Sequence, residues 1–112
     1  MTTMQSTEEK VEIINEALML GLSCRVKLRH EPILDKWSGY LNIPVSGYVE
    51  PSAYGPYPMR DLEYVLVDPI EQRYIGRLVP DRIIDHTQEV ISLFEAKGLA
   101  YEKPDLYFKV NF

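Results

Sequence analysis

The chain has 112 residues, enough to bury a core without metal or disulfide support, and one domain spanning 1–112 is expected. Twelve Lys and Arg against seventeen Asp and Glu give a net charge of −5, which excludes a protein that coats duplex DNA through a global positive field and leaves room for a local basic face. The lone Cys24 excludes an internal disulfide, the first twenty residues carry Glu8, Glu9, Glu12 and Glu16 without a leader pattern, and no apolar run approaches the ~20 residues of a membrane helix. A cytoplasmic location is therefore expected.

Ser6-Thr-Glu-Glu9 reads as a capping box, with hydroxyl and carboxylate positioned for the free amides of a helix start. Val11, Ile14, Ala17, Leu18 and Leu20 then recur at helical spacing, and Gly21 supplies a left-handed stop, so a helix is predicted over about 7–20. The period next changes to two. Cys24, Val26 and Leu28 alternate with Arg25, Lys27 and Arg29, the pattern of a half-buried strand whose outer face is cationic. Residues 31–39, with Pro32 and the lone Trp37, read as a loop, and 40–49 as a second strand.

Pro51, Pro56 and Pro58 exclude a central strand or a helix over 51–61, where an ordered loop presents Tyr54 and Tyr57 as flat amphipathic surfaces. Residues 62–67 read as a strand, 68–72 as a turn, and 73–78 as its hairpin partner, with Tyr74 and Gly76 inside it. The chain then leaves through Pro80. A helix starting near Asp85 or Thr87 directs Val90, Ile91, Leu93 and Phe94 inward and stops at Gly98. Last, Leu106, Phe108, Val110 and Phe112 alternate with Tyr107, Lys109 and Asn111 as a terminal strand. Consecutive strands with no helix between them exclude a doubly wound parallel sheet. The expectation is an α+β fold: a small, strongly bent antiparallel sheet or barrel over about 11–86, with a helix–strand extension over 87–112.

Five segments, Asn15-Glu-Ala-Leu18, Cys24-Arg-Val-Lys-Leu-Arg29, Tyr48-Val-Glu-Pro-Ser-Ala-Tyr-Gly55, Glu63-Tyr-Val-Leu-Val-Asp68 and Pro80-Asp-Arg-Ile83, occur in an order that resembles the WYL domains, Sm-like or SH3-like barrels of regulators. The resemblance covers roughly 11–86 and is most specific at Val49-Glu-Pro51 and Asp81-Arg-Ile83. Glu63 and Val65 stand where that family has tryptophan and leucine, and Val79 where it has an arginine, with Arg77 close by. The resemblance implies an SH3-like barrel that senses nucleotide-derived signals or nucleic-acid fragments on a basic, aromatic-lined surface.

The residues themselves suit the same chemistry, since bases stack on tyrosines and phosphates pair with arginine forks. The first functional reading is a non-enzymatic sensor or sequestering module for a nucleotide-like or other phosphorylated anion, or a short single strand. Arg25, Lys27, Arg77 and Arg82 would supply charge, and Tyr54, Tyr57 and Tyr64 would stack. The bland alternatives are a solvated strand face for Arg25 and Lys27, an ion pair with Glu50 or Asp81 for Arg82, and half-buried barrel positions for the tyrosines. The second functional reading is a protein-interaction module or inhibitor. There Trp37 and the Tyr/Pro loop form the contact, and Leu106, Phe108, Val110 and Phe112 add a strand to a partner or a second copy. A homo-oligomer is expected on either reading.

Catalysis has no visible kit. His30 and His86 lack a second ligand at metal-binding spacing, Cys24 reads as a buried inert thiol, and Asp85-His86 has no nucleophile elbow or phosphate loop beside it. No metal and no cofactor are expected.

Overall fold

The computed structural model of the chain describes residues 5–51 and 56–112. Its fold is α+β, in the order α1 (Thr7–Leu18), β1 (Ser23–Leu28), β2 (Tyr48–Val49), β3 (Tyr57–Pro58), a 3-10 turn (Met59–Asp61), β4 (Leu62–Asp68), β5 (Ile70–Arg73), β6 (Arg82–Asp85), α2 (Thr87–Ala96) and β7 (Phe108–Asn111). Among the described residues the strands form a three-stranded sheet, β1-β4-β7, and two separate ribbons, β2-β3 and β5-β6. Every pairing is antiparallel.

Helix α1 starts on half of the expected capping box: the Ser6 Oγ accepts a hydrogen bond from the Glu9 amide at 3.1 Å, while among the described residues the Glu9 carboxylate makes no return bond. It closes at Leu18, two residues before the apolar period ends, and the chain reverses at Gly21, where φ is +94°. Val11, Ile14 and Ala17 are wholly buried.

The register of the central sheet explains the alternation in its strands. Cys24, Val67 and Phe108 form one cross-strand row and Val26, Val65 and Val110 the next, all on one face. These six side chains are at most 1 % exposed and join α1, α2 and Leu41, Val49, Met59 and Leu62 in a single core. Phe94 of α2 meets Phe108 edge-on at 5.7 Å and Tyr101 at the same distance, so the two ends of the C-terminal segment lock against one another.

Two expected elements are different. Residues 40–49 form no continuous strand: Pro44 and the positive φ of Gly47, +86°, break the extension, leaving one bridge between Asn42 and Glu50 and the short β2. The hairpin expected between 62–67 and 73–78 is also absent. The Asp68 carboxylate accepts from the Ile70 amide at 3.0 Å, an Asx turn that takes the chain out of the central sheet at Pro69. β4 therefore pairs with β1 and β7, while β5 pairs with β6 through a turn closed by a Gly76–Val79 bridge.

Candidate functional site

Three of the expected ligand residues share the outer face of the central sheet. Arg25, Leu66 and Lys109 make one cross-strand row there, and Lys27, Tyr64 and Asn111 the next. Their polar atoms are already engaged within the chain. Arg25 Nε donates to the Asp35 carbonyl at 2.8 Å, and its guanidinium lies 5.5 Å from the Trp37 ring centre. Lys27 Nζ donates to the Leu28 carbonyl at 2.7 Å and pairs with Glu63 at 3.3 Å, with its side chain 15 % exposed. The ammonium of Lys109 sits 4.5 Å from the centre of the Tyr64 ring, covering a surface on which a base would stack.

Tyr57 lies elsewhere, lining a cavity of about 200 Å³ together with Val26, Leu28, Glu31, Ile33 and Asp35. Partial burial and the nearby Asp35 and Glu31 carboxylates hold its phenol above the usual range. That surrounding suits a cation and opposes a phosphate. Tyr54 falls outside the described residues. Arg77 and Arg82 belong to the β5–β6 ribbon, both exposed and, among the described residues, with side chains that make no hydrogen bond or ion pair. Arg82 thus makes no ion pair with Glu50 or Asp81; Asp81 accepts instead from Gln72 Nε2 at 2.8 Å. The described members of the expected site fall in three places: the outer sheet face, the cavity and the ribbon.

The terminal strand is an edge of the central sheet, paired with β4 on one side and bridged at Lys109 to Glu102 on the other. Phe108 and Val110 are wholly buried in the chain's own core, so of the expected interface these two offer no side chain at the surface. Phe112 packs against that core, its carbonyl accepting from Arg29 Nη2 at 2.8 Å, and only Leu106 of this set, at 65 %, is well exposed. Trp37 is half-covered by Tyr107, whose ring meets it at 5.0 Å, and by Arg25.

The feature that sequence reasoning missed is the ribbon as an exposed apolar arm. Leu78 is 94 % exposed, Tyr74 70 % and Ile83 60 %, with Ile75 and Val79 also exposed, and the exposed Arg77 and Arg82 are interspersed among them. The signal is present as the dense run of apolar residues over 74–84, whose first part, 73–78, reads as a hairpin partner of 62–67 and whose rest reads as an exit through Pro80. Arg73 and Arg82 stand directly opposite in the ladder, a like-charge pair. Glu71 neutralises Arg73, with its Oε2 3.1 Å from Arg73 Nη2, and leaves Arg82 uncompensated.

The root of the ribbon is firmly held. His86, 9 % exposed, places Nε2 2.8 Å from Glu71 of β5 and Nδ1 2.7 Å from Glu89 of α2, and its amide donates to the Pro69 carbonyl at 2.9 Å. The hydrogen bond that His86 donates to Glu71, opposed by burial and reinforced by Glu89, holds the imidazolium above its ordinary range, and the same bond holds Glu71 below its own. Among the described residues no group of three or more His, Cys, Asp or Glu is arranged to hold a metal ion, and no helix is long and apolar enough to cross a membrane.

Residues 10–111 match the model of DUF6678, a family of unknown function. The chain belongs to the DUF6678 family. The match runs from the first turn of α1 to the last residue of β7, so the central sheet, both ribbons and the His86 anchor all lie within the DUF6678 region. Neither a curated protein nor a solved structure matches the chain.

Proposed function

We propose that this DUF6678 protein is a non-enzymatic protein-interaction module whose docking element is the β5–β6 ribbon and whose partner is an acidic protein surface, in the first instance helix α1 of a second copy. The observation that carries this reading is the exposure of Tyr74, Ile75, Leu78, Val79 and Ile83 on one arm. A monomer scatters single apolar residues over its surface, and so many exposed apolar residues on one short arm mark a contact.

Charge selects the partner. Arg77 and Arg82 are interspersed among the apolar residues and want carboxylates. Glu9, Glu12 and Glu16 line the outer side of α1, exposed and unpaired among the described residues, and the ridge ends on Met19, 82 % exposed. The base of the ribbon stands beside the end of α1, because Glu71 at its root lies against Gly21 just after the helix. A two-fold axis near that junction would seat each ribbon on the other copy's α1, the self-complementary arrangement of a closed dimer.

Sedimentation of the full chain tests this. Wild type is expected to form a dimer, Arg77→Glu with Arg82→Glu a monomer, Glu12→Lys with Glu16→Lys a monomer, and the four changes together a dimer again. A wild-type monomer at the highest soluble concentration, or a dimer indifferent to these reversals, overturns the self-docking. A monomer that binds single-stranded oligonucleotides through Arg77 and Arg82 would move the arm to the anion-binding reading instead. The cytoplasmic location fits the single thiol of Cys24 and belongs to this proposal.

A further inference from the structure

The cavity beside Tyr57 has a lining that the ribbon reading does not use. Its walls are aliphatic, from Val26 and Leu28 of β1 and Ile33 of the following loop, and its polar groups are the Glu31 and Asp35 carboxylates and the Tyr57 phenol. Backbone bonds fix where the carboxylates stand. The Asp35 amide donates to the Val26 carbonyl at 2.9 Å, the Asp35 carbonyl accepts from Arg25 Nε at 2.8 Å, and the Glu31 amide donates to the Leu28 carbonyl at 3.2 Å. Asp35 is thus clamped to β1 from both sides of its own peptide units, although Arg25 reaches its carbonyl and not its carboxylate.

Those carboxylates lack a cation. Among the described residues no Lys, Arg or His forms an ion pair with Asp35 or Glu31. The Asp35 Oδ1 accepts from the Lys36 amide at 2.9 Å, and Oδ2 has only a long contact of 3.4 Å with the Tyr57 hydroxyl. Two negative groups beside a phenol and an apolar wall leave a net demand for positive charge. Size narrows the class further. At about 200 Å³ the space is below the roughly 300–1,000 Å³ of sites for drug-sized ligands, so it excludes a nucleotide and admits something the size of one long side chain.

We propose that this cavity binds an organic cation carried on a short aliphatic stem, an alkylammonium or alkylguanidinium, as presented by a free amine or by a Lys or Arg side chain of a peptide. The stem lies along Val26, Leu28 and Ile33, the cationic head meets Asp35 and Glu31, and the Tyr57 ring closes one side with its π face or hydroxyl. This inference stands apart from the ribbon, shares no residue with it, and survives or fails independently.

The test is a titration of the isotope-labelled full chain, followed by amide NMR, with n-butylammonium, n-butylguanidinium, uncharged n-butanol and a capped lysine. Either cation is expected to shift the Leu28, Glu31, Asp35 and Tyr57 amides saturably, and butanol is not. Asp35→Asn keeps the size of the side chain and most of its local bonds. It is expected to weaken the cation by roughly tenfold or more, the equivalent of one charge-assisted hydrogen bond, with the rest of the spectrum unchanged. Glu31→Gln, at an exposed position that makes no side-chain bond, serves as the second variant and should weaken binding less. Capped lysine binding as well as butylammonium assigns the site to a peptide side chain; exclusion of capped lysine assigns it to a free amine. Absence of localised shifts with both cations, equal binding of butanol, or an unchanged affinity in Asp35→Asn overturns the proposal.

Discussion

Nε2 of His86 lies 2.8 Å from Oε1 of Glu71, while Nδ1 of the same ring lies 2.7 Å from Oε1 of Glu89. A neutral imidazole has one N–H and can donate to one of these carboxylates; the imidazolium donates to both. The protonated ring therefore ties β5 to α2, and Arg73 adds a second cation to Glu71. Because the folded pKa of His86 is raised from 6.5, its contribution to stability is fully present below pH 6.5 and is lost as pH rises through the higher folded value. Glu71 behaves oppositely: its folded pKa is lowered from 4.5, so its contribution is present above pH 4.5 and lost as pH falls through the lower folded value. Urea midpoints should be highest between pH 4.5 and 6.5 and decline on the alkaline side. Glu71→Gln should flatten that alkaline decline, and a wild-type midpoint that does not fall above pH 6.5 would contradict the assignment.

Gly21 and Glu71 make a second test of the same anchor. A Cβ at Gly21, built on a φ of +94°, would stand 2.7 Å from Glu71 Oε2 and 2.9 Å from its Cδ. A flexible carboxylate could normally swing aside, but this one is held by His86 and Arg73. Gly47 offers the control, with φ at +86° and nothing within 4 Å of its built Cβ. Gly47→Ala should cost about 1 kcal/mol for the left-handed backbone alone. Gly21→Ala should cost roughly 1 kcal/mol more, by the loss of a charge-assisted contact, and the excess should vanish in a Glu71→Ala background. Equal destabilisation at the two glycines would show that Glu71 is free to move.

Local chemistry made much of this fold legible in the sequence. The Ser6 cap of α1, the alternation from Cys24 to Leu28, and the pairing of Val90 with Phe94 before Gly98 each depend on a few adjacent residues, and each stands where expected. Pairing across the sheet was less accessible, because both edges of β4 are taken by strands far away in the chain, β1 and β7. A short connection through Asp68 and Pro69 looked like a hairpin turn, and only the Asp68 bond to the Ile70 amide reveals that it turns the chain out of the sheet. The site was least legible. Arg25 and Arg82 are the same residue type on neighbouring-looking strands, yet one is held by a carbonyl and a tryptophan and the other is unengaged, a distinction that exists only after loop 31–39 has folded back along β1.

Cys24 should report global unfolding. Its side chain is wholly buried, its S–H points toward the Tyr40 carbonyl at 3.8 Å, and burial pushes the thiol up to about 12. The thiolate is the reactive form, so a disulfide-exchange reagent at mildly alkaline pH should find almost none of it in the native chain. Reaction should proceed through opening, with a rate that rises in step with the unfolded fraction as urea is added. Rapid stoichiometric labelling of the native protein, unaffected by stabilising conditions, would place Cys24 at the surface instead.

Phe108 and Leu106 stand two positions apart and should respond in opposite ways. Phe108 is wholly buried, meets Phe94 at 5.7 Å and Tyr101 at 5.4 Å, and completes a cross-strand row with Val67 and Cys24. Phe108→Ala should therefore cost about 3–5 kcal/mol in urea unfolding, from lost transfer energy and the cavity left behind. Leu106 is 65 % exposed and outside the core, so Leu106→Ser should stay within about 0.5 kcal/mol of wild type. Deleting 106–112 removes Phe108, Val110 and one edge partner of β4 together, a loss comparable with the whole stability of a domain this size, and the remaining chain should be unfolded by circular dichroism. A folded truncated chain would mean that β7 is an accessory strand and would return it to the role of an interaction element. Unfolding of the truncated chain alongside a neutral Leu106→Ser places β7 in the core and leaves docking to the ribbon.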